Sequence, residues 1–123
     1  MNANVLSNIR GFDTAYNRIS DLSHYIKHIA VDIVGVGTPD GYLELAQRLG
    51  SSAAHGENGT FVKTRGNGDL VAYVDNSISR PHSLKEGIIL VVRSRGSYGL
   101  VATMFAPDEG KRYFDEKIDL MLM

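Results

Sequence analysis

The stretch GIILVVRSRGSYGLVATMF, residues 87 to 105, sets two β-type runs on either side of a glycine-containing turn. GIILVVRS (87 to 94) and YGLVATMF (98 to 105) are rich in residues that suit a pleated, half-buried surface, and RGS at 95 to 97 carries the glycine whose positive φ a tight hairpin needs. The pattern repeats upstream, where TFVKTR (60 to 65) and DLVAYV (69 to 74) flank GNG at 66 to 68. Four strands in two antiparallel hairpins are therefore expected in the second half of the chain. The first half reads differently. In GTPDGYLELAQRLG, Thr38 stands as N-cap, Pro39 at the first helical position, Asp40 in the first turn and Gly50 past the end, which predicts a helix over 39 to 49. Residues 51 to 59, SSAAHGENG, then read as a loop. Before them, Val5, Leu6, Ile9, Phe12, Tyr16, Ile19, Leu22, Ile26 and Ile29 recur at spacings of three and four, a helical period over about 4 to 30 that Gly11 and Asp13 divide into two. Helices followed by strands predict an α+β domain with an antiparallel sheet: one domain over 1–123, helical over about 4–50 and sheet over about 60–116.

Composition bounds the chemistry without naming it. At 123 residues the chain is long enough for one core, and 43% hydrophobic with 22% charged residues is ordinary for a globular protein. There is no cysteine, so disulfides, thiolate nucleophiles and cysteine-based metal sites are excluded, and any metal would need His and carboxylate ligands. A formal net charge of −1 lacks the basic excess of many nucleic-acid binders, which leaves room only for a local basic patch. No run approaches the roughly 18 apolar residues of a membrane span, and MNANVLSNIR lacks the pattern of a signal peptide.

The stretch LSHYIKHIAVD, residues 22 to 32, places His24 and His28 four positions apart with Lys27 beside the second. On a helix, His28 lies about 40° from His24, whereas Leu22, Ile26 and Ile29 cluster about 140–200° away, so both histidines face away from the apolar stripe. Three readings stay open there: a solvated helix face, a metal shared by two histidines, and proton transfer. HYIKH lacks the glutamate of the HExxH motif, which weakens the metal. Imidazole titrates near neutral pH, and RNA carries its own 2′-hydroxyl nucleophile, so a ribonuclease needs only acid/base groups and cations for the phosphate. Strand alternation puts Phe61, Lys63 and Arg65 on one side of TFVKTR, two cations on one face, and groups Val101, Thr103 and Phe105 in YGLVATMF. Thr103 is either a β-former or a hydroxyl donor. Arg93 and Arg95 read as solubilising residues of the last hairpin, and His55 and His82 sit in loops without partners. GVG at 35 to 37 reads as a hinge, because no GxGxxG or Walker lysine accompanies it.

Read in order, these motifs resemble the toxin domains of the Barnase–EndoU–ColicinE5/D–RelE ribonuclease superfamily. The residues that carry the resemblance are His24 and His28, then Thr38 through Tyr42-Leu43 to Ala46, then Asn67-Gly68-Asp69, and finally Thr103-Met104-Phe105, spanning about residues 23 to 114. The resemblance implies N-terminal helices packed on a twisted antiparallel sheet of about four to five strands, with RNA cleaved across the sheet without metal or cofactor. It implies His24 or His28 as general base or acid, Lys63 and Arg65 on the phosphate, Thr103 stabilising the developing charge, and Tyr113 or Tyr73 adding a hydroxyl or a stacking surface. The implied partners are RNA, most often tRNA, a cognate immunity protein and a helper protein. The implied setting is the cytoplasm of a target cell, reached as part of a larger secreted or cell-surface protein. Ile29, Ala72 and Ala102 depart from the pattern, where relatives often carry a glycine and two basic residues, and Lys63, Arg65 or Arg93 would compensate for the missing cations.

Overall fold

A computed structural model describes residues 3–13, 33, 38–66, 68–75 and 86–118. A short helix α1 (Ala3–Leu6) leads into strand β1 (Ile9–Phe12), and a long helix α2 (Pro39–Ala54) follows. Four strands come next, β2 (Thr60–Thr64), β3 (Leu70–Asp75), β4 (Gly87–Ser94) and β5 (Gly99–Phe105), before helix α3 (Lys111–Glu116). The strands form one sheet in the order β1-β5-β4-β3-β2. β2 to β5 are antiparallel neighbours, whereas β1 runs parallel to β5. The α+β class and the two hairpins are as the sequence predicts, with Gly68 at φ 93° and Gly96 at φ 81° in the turns. No helix among the described residues is long and apolar enough to cross a membrane.

α2 starts as its sequence predicts, with the Thr38 hydroxyl accepting from the Gly41 N–H at 3.1 Å and Pro39 in the first turn. It ends later than predicted. The helix runs through Gly50 to Ala54, and the left-handed glycine is Gly56, φ 67°. Gly56 N–H donates to Ala53 O and Glu57 N–H to Ser52 O, the paired bonds of a Schellman motif. Gly50 instead sits inside the helix at its closest approach to α1 and β1, where a Cβ would collide with the Leu6 carbonyl and lie 2.7 Å from Ile9 Cδ1.

A second correction concerns residues 9 to 12, expected in a helix and found in β1. A register irregularity between Ile9 and Gly11 lets Ile9 and Phe12 both pack toward α2, so a bulged strand reproduces the apolar spacing of a helix. Residues 14–32 lie outside the described residues, as does the GVG hinge.

The main core fills the space between α2 and one face of the sheet. Tyr42, Leu45, Ala46, Leu49 and Ala53 face Leu70, Ala72, Val74, Ile88, Leu90, Val92, Val101 and Met104. The Tyr42 hydroxyl donates to Met104 O at 2.9 Å and Gln47 Nε2 to Ile9 O at 2.9 Å, so polar groups at this contact are matched to strand carbonyls. A smaller core on the opposite face joins Val71, Tyr73, Ile89, Val91 and Ala102 to Phe114 and Ile118. Because α3 is short, it covers only part of that second face.

Candidate functional site

Cross-strand partners share a face, so register tells which side chains accompany this smaller core. Phe61 pairs with Tyr73 and Lys63 with Val71, which puts both β2 residues on the α3 side. On β5 the simple alternation fails. Val91 pairs with Thr103 but Val92 with Val101, so Ala102 is the extra residue of a bulge. Thr103 and Phe105 therefore belong to the α3 side, while Val101 packs toward α2, which corrects the expected grouping of all three.

Beyond the reach of α3, the same side ends in a cluster of charge. Arg93, two residues after Val91, donates from Nη1 to Asp13 Oδ2 in a short contact, and its Nε lies 3.8 Å from Asp69 Oδ2. Arg95 Nη2 donates to Asp13 Oδ1 at 3.2 Å. Arg65 Nη1 stands 3.9 Å from Asp69 Oδ2. Asp13 and Asp69 are buried, at 4% and 5% exposure, and the three guanidiniums around them leave one positive charge in excess. Local folding explains the convergence. Asp13 N–H donates to Val101 O at 2.9 Å, which holds the carboxylate at the end of β1 beside β5, and Arg65 N–H donates to Asp69 O at 2.8 Å across the β2–β3 turn. Gly68, Asp69, Arg93, Ser94 and Arg95 line an open cleft of about 460 Å³ there.

The site residues expected from sequence divide between two places. Arg65, its side chain 9% exposed, stands beside the cleft against Asp69, and Thr103, 5% exposed, lies on the same side of the sheet opposite Val91. Lys63 turns toward α3, its Nζ 4.7 Å from the centre of the Phe114 ring. Tyr113 packs edge-on against Phe105 at 5.6 Å. Phe105 pairs with Ile89 and Arg93 with Leu100, so four residues of strand, about 13 Å, separate Tyr113's neighbour from the cleft. His24 and His28 lie outside the described residues, as do His82 and Asn67. His55 Nδ1 lies 2.7 Å from Ser51 O at the end of α2, away from this cluster in the fold.

Arg95 and Asp13 were not expected here, Arg93 only as one of three cations that would compensate for the missing basic residues, and Asp69 only as part of a turn motif. Their available signal was the register of two turns, RSRGS and TRGNGD, which antiparallel pairing brings to one end of the sheet. Among the described residues no group of three or more His, Asp and Glu converges, and the two cleft carboxylates face guanidiniums. At the opposite end, Tyr73 is buried between Phe61 and Phe114, at 6.4 and 6.1 Å. Burial, followed by the negative charges of Glu86, Asp75 and Asp115, pushes its phenol up to about 12. The chain matches no protein-family model, no curated protein and no solved structure.

Proposed function

We propose that this chain is a metal-independent endoribonuclease that cleaves RNA by internal 2′-hydroxyl attack. The observation that carries the reading is the cleft itself: Arg93 and Arg95 line it at the end of a sheet face, with Arg65 paired to the cleft residue Asp69 and Thr103 on the same face opposite Val91, two residues before Arg93. Planar guanidiniums suit the equatorial oxygens of a phosphorane, whose extra negative charge develops only in the transition state. In the reaction the 2′-oxygen bonds to phosphorus as the bond to the 5′-oxygen breaks. One proton leaves the 2′-hydroxyl for a base and another reaches the departing 5′-oxygen, giving a 2′,3′-cyclic phosphate and a 5′-hydroxyl. His24 and His28 are the residues proposed to exchange those protons, on the strength of their pairing in sequence and their titration range.

Arg93 and Arg95, which line the cleft, take over the phosphate-binding part first assigned to Lys63 and Arg65, because Lys63 is engaged over the Phe114 ring and the Arg65 side chain is 9% exposed against Asp69. A tRNA substrate, a cognate immunity protein and action in the cytoplasm of a target cell belong to the same proposal, supported by the quoted motif resemblance. One observation favours a second reading, a binding module without catalysis: every cleft arginine already faces a carboxylate.

Incubating the purified protein with total RNA, with and without EDTA, separates the two. Discrete products ending in cyclic phosphate, formed in EDTA and lost in His24→Ala or His28→Ala and in Arg93→Ala, support the enzyme. RNA left intact by the wild type sinks it in favour of the binding module.

A further inference from the structure

Phe61 is a large apolar side chain on the edge strand of the sheet, and it is 42% exposed. Single exposed apolar residues are common, so exposure alone says little. Its surroundings say more. The Lys111 ammonium sits 4.4 Å from the centre of its ring, and Tyr73 supports the ring from the sheet at 6.4 Å. Lys63 follows Phe61 on the same side of β2, and Arg65 follows in turn beside the β2–β3 turn. Phe61, Lys63 and Arg65 thus succeed one another at about 6.6–6.8 Å per step along one strand, from α3 toward the turn beside the cleft, with Lys63 over the Phe114 ring and the Arg65 side chain 9% exposed, so Lys111 is the cation at the Phe61 ring.

We infer that this edge is a binding track for single-stranded RNA, on which Phe61 stacks an unpaired base next to the nucleotide held in the cleft. The inference rests on the ribonuclease reading for its direction, since β2 runs from Phe61 toward the turn whose Gly68 and Asp69 line the cleft. Aromatic faces with neighbouring cations are how proteins hold single strands with little regard to sequence. Tyr73, first considered for stacking, offers no such face, being 2% exposed, and Tyr113 lies on α3 in an edge-to-face pair with Phe105, off the strand that carries Phe61. Asp115 accepts from Lys111 at 2.9 and 3.0 Å. That pair is 39% and 47% exposed, the kind of surface bridge that contributes little, so a phosphate can recruit Lys111 at small cost.

The test uses a fluorescein-labelled single-stranded DNA of about eight nucleotides, which lacks the 2′-hydroxyl and survives the assay. Anisotropy should show binding by the wild type, a Kd raised about 5- to 100-fold in Phe61→Ala, and recovery in Phe61→Trp. Binding to duplex DNA of the same sequence should be weaker. Cleavage of RNA is measured in parallel. Cleavage with oligonucleotide affinity unchanged in Phe61→Ala overturns the track and leaves the ribonuclease standing. Phe61-dependent binding with no cleavage of any RNA does the reverse. Absence of binding by the wild type overturns the track, and so does a Phe61→Ala variant that changes only self-association in sedimentation, which would make this edge a contact between protein copies.

Discussion

Gly50→Ala tests the packing on which the architecture depends. In an unobstructed helix interior this replacement stabilises by about 1 kcal/mol, because glycine loses more backbone freedom on folding. Here the new Cβ would collide with the Leu6 carbonyl and lie 2.7 Å from Ile9 Cδ1, about 1 Å inside ordinary contact. Ile9 can turn its methyl aside, but a backbone carbonyl cannot. α1 and β1 must then retreat from α2, loosening Leu6, Ile9 and Leu49, which are all at least 95% buried. Overpacking of this kind costs roughly 1–3 kcal/mol, and the backbone contact puts it at the upper end. The net expectation is a loss of about 1–2 kcal/mol. With a urea slope of about 1.5 kcal/mol/M, the midpoint followed by circular dichroism should fall by roughly 1 M at constant slope. Gly50→Asn discriminates further: at a left-handed cap Asn is tolerated better than Ala, whereas inside this contact it must be worse. A Gly50→Ala protein as stable as the wild type, or more so, refutes the close approach of α2 to Leu6.

Leu90→Ala, at the fully buried centre of β4, should cost about 2–5 kcal/mol in the same denaturation assay. Arg93→Ala should destabilise by about 1–3 kcal/mol, because it withdraws the one cation between Asp13 and Asp69, whereas Arg95→Ala, whose side chain is 45% exposed, should change stability by under about 1 kcal/mol. Equal losses would mean that Arg93 does not bridge the two carboxylates. Tyr73 should ionise near pH 12 in a near-ultraviolet titration of the folded protein, and Tyr73→Phe should remove that step. Since the folded pKa lies above the ordinary 10.0, Tyr73's contribution to stability is full below pH 10 and is lost as pH rises toward about 12. A Tyr73→Phe protein with unchanged alkaline stability loss would contradict that assignment.

The sheet was legible because its signals are local. Each hairpin announces itself by a glycine turn between β-rich runs, and β4 spans 87 to 94 as read from sequence. The helix start was equally local, with Thr38, Pro39 and Asp40 within one turn. Errors arose where two structures share one pattern. Ile9 and Phe12 have helical spacing, yet a bulge gives a strand the same pair on one face. Gly50 resembles a terminator, but its meaning depends on Leu6, forty-four residues away and across an interface. The bulge at Ala102 likewise shifts Val101 to the other face, which alternation counted from Phe105 cannot reveal.

The cleft was less legible than the fold for a related reason: its charges come from four separate segments. Arg93 and Arg95 in isolation are turn residues, and only the parallel placement of β1 beside β5 brings Asp13 to them. The two aspartates bear on function as well as on folding. A buried carboxylate costs several kcal/mol to desolvate unless cations hold it, so Asp13 and Asp69 require the arginines to stay where they are. That requirement orients the guanidiniums before any ligand arrives, and it also lowers their net attraction for a phosphate dianion or diester in the ground state. On the proposed ribonuclease reading, a phosphorane carries more negative charge on its equatorial oxygens than the diester and so gains more from the one positive charge in excess. Asp13 and Asp69 reduce that gain, because they repel a phosphorane more than a diester, so within the proposed function the carboxylates contribute the fixed orientation of the guanidiniums and not a larger charge.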